Sequence, residues 1–225
     1  MKKLLLLLLL APMVSCSGGD DEINDCTDSK LGVNCQGADY IQNSDSPYVL
    51  PWEVGKTFII GQVNCTDGSH SRDSYAQFAY DIPMPIGTNL VAVQSGIVVG
   101  LAENFEDVQD GVNDINLYDK ANYINIEHPD GTRASYGHLT LNGVLKSIGD
   151  NVNQGEVIAL SGNSGWSSEP HLHFQLNECI DTDDRPTYTQ TVCNSVSITF
   201  KNTSEHCFGL LGSNFKPNGY TAEPY

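Results

Sequence analysis

Two histidines stand one residue apart in "EPHLHFQL", residues 169–176, inside a run whose apolar residues also fall on every second position. In a β-strand successive side chains point to opposite faces. Leu172, Phe174 and Leu176 then share one face, and His171, His173 and Gln175 share the other. Two imidazoles on one strand face suit a metal ion, a proton relay or a plain polar surface. The surroundings favour a metal. The Gly- and Ser-rich loop "GNSGWSSEP" (162–170) delivers the chain into this strand, "SYGHL" puts His138 near the end of another, and "YDIPMPIGT" puts Asp81 just before a turn. Histidine and aspartate are ordinary zinc ligands, and a zinc held by three protein ligands keeps a fourth position for water. That water ionises near neutral pH and can attack an activated carbonyl.

Strands must carry these side chains, and the chain supplies them. Short β-type runs occur at 56–63, 89–100, 122–128, 132–139, 156–162, 171–176 and 195–200. The Asp-Gly pair of "HPDGT" between two of these runs is a hairpin signal. Long helical periodicity is missing, and turn residues rather than helices separate the runs. The expected class is therefore all-β, a mainly antiparallel sheet. One stretch interrupts the pattern: residues 102–120 hold six acidic residues, Glu103, Glu106, Asp107, Asp110, Asp114 and Asp119. Their order is not that of an EF-hand loop, so a solvated acidic insertion is expected.

The whole chain sets the limits. Its 225 residues suffice for one well-cored domain with extensions. The opening "MKKLLLLLLLAPMVSCSGGDDE" has two lysines and an apolar run too short to span a bilayer, which reads as a signal peptide over 1–15. Cys16 is then a candidate for the acylated cysteine of a bacterial lipoprotein, although Met13 stands where leucine is usual; a secreted protein cleaved nearby is the alternative. The acidic "SGGDDE" is similar to signals that send some lipoproteins to the cell surface. Residues 16–45 read as a tether. Six cysteines remain beyond Cys16: Cys26, Cys35, Cys65, Cys179, Cys193 and Cys207. An even number in an exported chain favours disulfides, with the pairing open and Cys26–Cys35 the simplest local choice. A formal charge of −17 with no basic stretch excludes nucleic acid as a partner.

Together, "YDIPMPIGTNLVAVQSGIVV", "NYINIEHPDGTRASYGHL", "GDNVNQGEVIALSGNSG" and "PHLHFQL" resemble the lysostaphin/LytM-type zinc endopeptidases, in that family's order and spacing. The resemblance implies an antiparallel sheet of duplicated hybrid-motif type with a long groove, over residues 46–178, followed by a Cys-containing extension, 179–225, packed on it. It implies zinc as cofactor, Asp81 and His173 as ligands, and His138 and His171 as the residues that handle the nucleophile's proton and the oxyanion. The family's first motif is His-x-x-x-Asp, and here it reads "QFAYD", with Gln77 in the histidine position. Either the chain has lost zinc, or another histidine arrives from upstream. His70, in "SHSRDSYAQFAYD", is the expected third ligand, because this segment and the chain's close resemble a subgroup with an upstream Ser-His loop. Tyr136, Asn163 and Trp166 are weaker candidates for the groove lining; His128 and His206 receive structural readings. The implied function is a zinc endopeptidase cutting peptidoglycan stems or cross-bridges, as an outer-membrane or cell-surface lipoprotein, with a periplasmic or secreted location as the alternative. The competing functions are a catalytically inactive LytM-like lipoprotein that binds peptidoglycan or activates an amidase, and a peptidase acting on extracellular protein.

Overall fold

A computed structural model describes residues 35, 38, 40–71, 73–181, 191–204, 209–210, 212, 214 and 217–225. The expected signal peptide, Cys16, the first part of the tether, Cys26, His206 and Cys207 lie outside these residues. Eleven strands are present: β1 (Thr57–Phe58), β2 (Tyr80–Pro83), β3 (Asn89–Val91), β4 (Gly96–Ala102), β5 (Asn122–Glu127), β6 (Thr132–Val144), β7 (Asn151–Val152), β8 (Val157–Ser161), β9 (His171–Asp181), β10 (Thr191–Val196) and β11 (Tyr220–Thr221). No α-helix occurs among the described residues, so the all-β expectation holds. Boundaries moved in places. The strand expected over 195–200 starts at Thr191 and ends at Val196, and the run at 56–63 forms a strand only at Thr57–Phe58, with an isolated bridge from Gln62 to Asp81.

Nine strands form one antiparallel sheet in the order β10-β9-β6-β5-β4-β7, with β2 on β9 and β8 joining β3 to β6. Strand β9 is its axis. Its first half pairs with β2 on one edge, its second half pairs with β10 on that same edge, and β6 runs along the other. Alternation does the sorting: Leu172, Phe174 and Leu176 are buried, and Phe174 packs edge-on to Tyr136 at 5.3 Å between ring centroids. Ile124, Ile126, Tyr80, Ile82 and Leu90 complete this part of the core.

The β5–β6 hairpin closes as its sequence predicts. Gly131 takes φ +86°, and Asp130 Oδ1 accepts hydrogen bonds from the Thr132 backbone N–H at 2.9 Å and its hydroxyl at 2.7 Å. Flanking segments seal the sheet: Val49 N–H donates to the Val93 carbonyl, Lys201 N–H to Tyr48, and β1 pairs with β11. Disulfides join Cys179 to Cys193 across β9 and β10, and Cys35 to Cys65. The second corrects the local Cys26–Cys35 expectation: Cys35 is held against the segment before His70, 30 residues along the chain, rather than by its sequence neighbour.

Candidate metal centre

Four elements meet on the polar face of β9. Asp81 of β2 lies directly opposite His173 in register, so both side chains leave the sheet on the same side. Gly137 of β6 is the other neighbour of His173, and a Cβ there would stand 3.4 Å from the Cβ of His173. Strict alternation would send His138 to the core side with Tyr136. A bulge prevents this: Asn122 pairs with Leu139 and Tyr123 with Gly137, which leaves His138 unpaired at φ +57°. Bulges re-aim side chains in this way, and the left-handed backbone costs about 1–2 kcal/mol at a non-glycine residue. The ring of His138 comes to lie 4.5 Å from that of His171 and 6.0 Å from that of His173.

His70 arrives from outside the sheet. The segment 62–70 is tied to β2 by reciprocal backbone hydrogen bonds between Gln62 and Asp81, and ends in a 3-10 turn, Gly68–His70. His70 is fully buried, its Nδ1 donates to the Val63 carbonyl at 3.1 Å, and its Nε2 has no hydrogen-bond partner among the described residues. Asp81 Oδ1 stands 3.5 Å from that Nε2, at the outer limit of a hydrogen bond. One donor atom from each of His70, Asp81 and His173 lies within 4.8 Å of the others, a group able to hold a metal ion. A buried nitrogen lone pair aimed at a carboxylate, with two further donors alongside, fits a divalent cation: the cation would satisfy the nitrogen and neutralise the carboxylate. Gln77 is turned elsewhere. Its Oε1 accepts from the Asp73 N–H at 3.2 Å and its carbonyl from the Cys65 N–H at 2.6 Å, so it serves the turn and not the cluster.

Carbonyl partners set the tautomers, because a carbonyl can only accept. His138 Nδ1 donates to the Ser164 carbonyl at 2.7 Å, and His171 Nδ1 to the Glu169 carbonyl at 2.8 Å, with Ser167 Oγ 3.1 Å away. Each therefore presents a bare Nε2, and that of His171 is 3.7 Å from Asp81 Oδ1. Burial, with the nearby His171 and His173 rings adding to it, pushes His138 down to about 3, so it is neutral at pH 7. Burial acts upward on Asp81, but the hydrogen bond from His173 and the neighbouring imidazoles outweigh it and hold the carboxyl well below its usual range. Burial acts downward on His173, and its bond to Asp81 overcomes this and raises it.

The cluster forms the floor of a groove of about 520 Å³. Tyr75 from the segment after His70, and Asn113 and Tyr118 from the acidic insertion, make its walls with Trp166. Trp166 Nε1 donates to Asn113 Oδ1, and its ring lies 6.3 Å from that of Tyr118. Trp166 thus lines the groove. Tyr136 does not offer its hydroxyl, which accepts from the Val93 N–H in the core at 2.9 Å. Asn163 is fully buried and braces Val108 and Ser167. His128 packs against Tyr48, away from the groove lining. The insertion is anchored by Asp107, which accepts from the Thr140 hydroxyl at 2.5 Å and the Asn163 N–H at 2.6 Å. Tyr75 and Tyr118 were not foreseen, since a lone tyrosine in a polar loop carries no spacing signal.

Asp81 and His173 on an antiparallel sheet, with His70 brought in from outside it and two further imidazoles alongside, make a metallopeptidase-like arrangement. Residues 76–186 match peptidase family M23, and the chain carries an M23 domain of the LytM/lysostaphin type. It is 34% identical over 130 residues to an uncharacterized metalloprotease of Buchnera aphidicola, covering 58% of this chain and 30% of that protein. It is 33% identical over 96 residues to the peptidoglycan DD-endopeptidase ShyA of Vibrio cholerae, covering 43% of this chain and 19% of the relative. The chain thus spans less than a third of either relative's length. The catalytic domain of the antimicrobial peptidase lysostaphin from Staphylococcus simulans is 27% identical, with a TM-score of 0.34, over 56% of this chain and 79% of that one.

Proposed function

We propose that this protein is a zinc metallo-endopeptidase that hydrolyses peptide bonds in peptidoglycan at the bacterial envelope, with His70, Asp81 and His173 holding the ion. The observation that carries this reading is the buried, partnerless Nε2 of His70 aimed at Asp81 and His173. Peptidoglycan as substrate is supported by the relative ShyA, and export by the N-terminal sequence, with Cys16 as the attachment point of a lipid anchor. When bound, zinc supplies Lewis acidity and lets water ionise at about pH 7.

The chain's own residues do the rest. His138 and His171 offer bare Nε2 atoms on one side of the cluster. A neutral imidazole there accepts the proton of an attacking water, and returns it to the amine that leaves. The backbone carbonyls of Ser164 and Glu169 hold both rings in the tautomer that this transfer needs. Tyr75, Tyr118 and Trp166 flank the peptide and restrict water.

The test measures zinc per chain and soluble peptide released from purified sacculi, for wild type, Asp81→Asn and His138→Gln. One zinc and fragment release are expected in wild type. Asp81→Asn loses both, and His138→Gln keeps zinc while losing about 10²–10⁴-fold in rate. Wild type without zinc and without fragments would end the proposal.

A further inference from the structure

The polar face of β9 does not stop at His173. Gln175 and Asn177 continue it, and both are nearly closed to solvent, at 6% and 2% exposure. Buried amides need partners, and these two have a directional set. Its fixed end is the backbone carbonyl of Arg133, which lies opposite Asn177 in register. A carbonyl only accepts, so the Asn177 nitrogen faces it at 3.2 Å; the same nitrogen reaches Ser135 Oγ at 3.2 Å. The Ser135 hydroxyl in turn donates to Asn125 Oδ1 at 2.7 Å. With its nitrogen committed, Asn177 offers Oδ1 to Gln175 Nε2, 2.6 Å away. That bond turns Gln175 Oε1 toward His173 Nε2 at 3.0 Å. An amide oxygen only accepts as well, so His173 Nε2 carries a hydrogen. Its Nδ1, 2.8 Å from Asp81 Oδ1, is the one ring nitrogen left for a proton or a metal ion.

We infer that Gln175 and Asn177 are positioning residues that lock His173 with a hydrogen on Nε2 and Nδ1 presented to the ion, their orientation set by the Arg133 carbonyl. The metal half of this inference rests on the reading of His173 as a zinc ligand; the tautomer half does not. A ring free to flip or change tautomer offers its correct lone pair only part of the time, and partners of this kind change metal affinity about 10–100-fold when removed. Had the face been merely polar, an isolated Gln175 with either amide end inward would serve equally well.

The experiment uses the full chain with two readouts: zinc affinity by competition with a chromophoric chelator, and ¹⁵N-histidine NMR of metal-free protein. Gln175→Leu is expected to weaken zinc by about 10–100-fold. Gln175→Glu, which keeps an acceptor at Nε2, recovers most of that loss. Asn177→Leu, at the far end of the chain of bonds, gives an intermediate loss and carries the test if Gln175→Leu does not fold. In the NMR, the Nε2 hydrogen of His173 is protected from exchange in wild type and unprotected in Gln175→Leu. Equal zinc affinity in wild type and a folded Gln175→Leu, or a Gln175→Glu as weak as the leucine variant, would overturn the positioning role. If wild type binds no zinc, the ligand reading fails by itself; the exchange result still decides the tautomer lock, which falls if protection is the same in both proteins.

Discussion

At the scale of single residues, the proposed third ligand is His70, while Gln77 stands where the resemblance implies a histidine. The sequence made Gln77 legible as a departure, because the resemblance fixes which residue stands four before Asp81. It also pointed to His70 as the nearest upstream histidine. What it could not give was the side-chain geometry: the burial of His70, its anchoring to Val63, and the turn toward Asp73 that removes Gln77 from the cluster. Those depend on where a polar, strand-free segment folds back, and no periodicity encodes that. Gln77→Ala is therefore expected to keep one zinc per chain and to cost no more than about 1 kcal/mol for the hydrogen bond to Asp73. His70→Ala is expected to lose zinc on dialysis against a mild chelator. Metal analysis of the two variants side by side checks this, and zinc loss in Gln77→Ala would return that residue to the site.

At the scale of elements, period-two alternation identified the two faces of β9 without ambiguity, since a one-residue slip would have buried both histidines. The bulge at His138 escaped that logic, because it breaks the period at the residue that matters. The disulfide framework escaped it too: pairing follows three-dimensional proximity, and the tether's Cys35 meets Cys65, five residues before His70. That bond, the Cys65 N–H to Gln77 carbonyl bond and the Asn64 bond to the Tyr80 hydroxyl fix the segment that delivers His70. Replacing both Cys35 and Cys65 by Ser should lower stability by about 2–4 kcal/mol in urea unfolding. Zinc should weaken in the same variant, although neither cysteine lies in the cluster. Unchanged zinc affinity with lowered stability would mean that the backbone bonds alone hold the segment.

For the whole molecule, short β-type runs separated by turn residues gave the right class, all-β, but not which strands are neighbours. Strand β9 serves β2, β10 and β6 at once, and only long-range pairing decides that. The same burial that builds the core makes the metal-free protein sensitive to acid, and two opposed effects compete there. Burial lowers His128 and His138 below the ordinary histidine value, His138 to about 3. Their contribution to stability is present above the unfolded value, about 6.5, and is lost as pH falls below it, because the unfolded chain takes up those protons first. His173 is raised and has the opposite sign, favouring the folded state on the acid side. The lowered carboxyl of Asp81 gives up its contribution only below the usual carboxylate range. Against the two buried histidines stands the charge of −17, whose self-repulsion eases as carboxylates protonate. Between about pH 7 and 4.5 most carboxylates stay ionised, so the histidines govern. The melting temperature of the metal-free protein should fall across that window, and His138→Gln should make the fall shallower. A melting temperature that rises toward pH 4.5 in both proteins would instead make charge relief the larger effect, and the burial of these imidazoles a minor one.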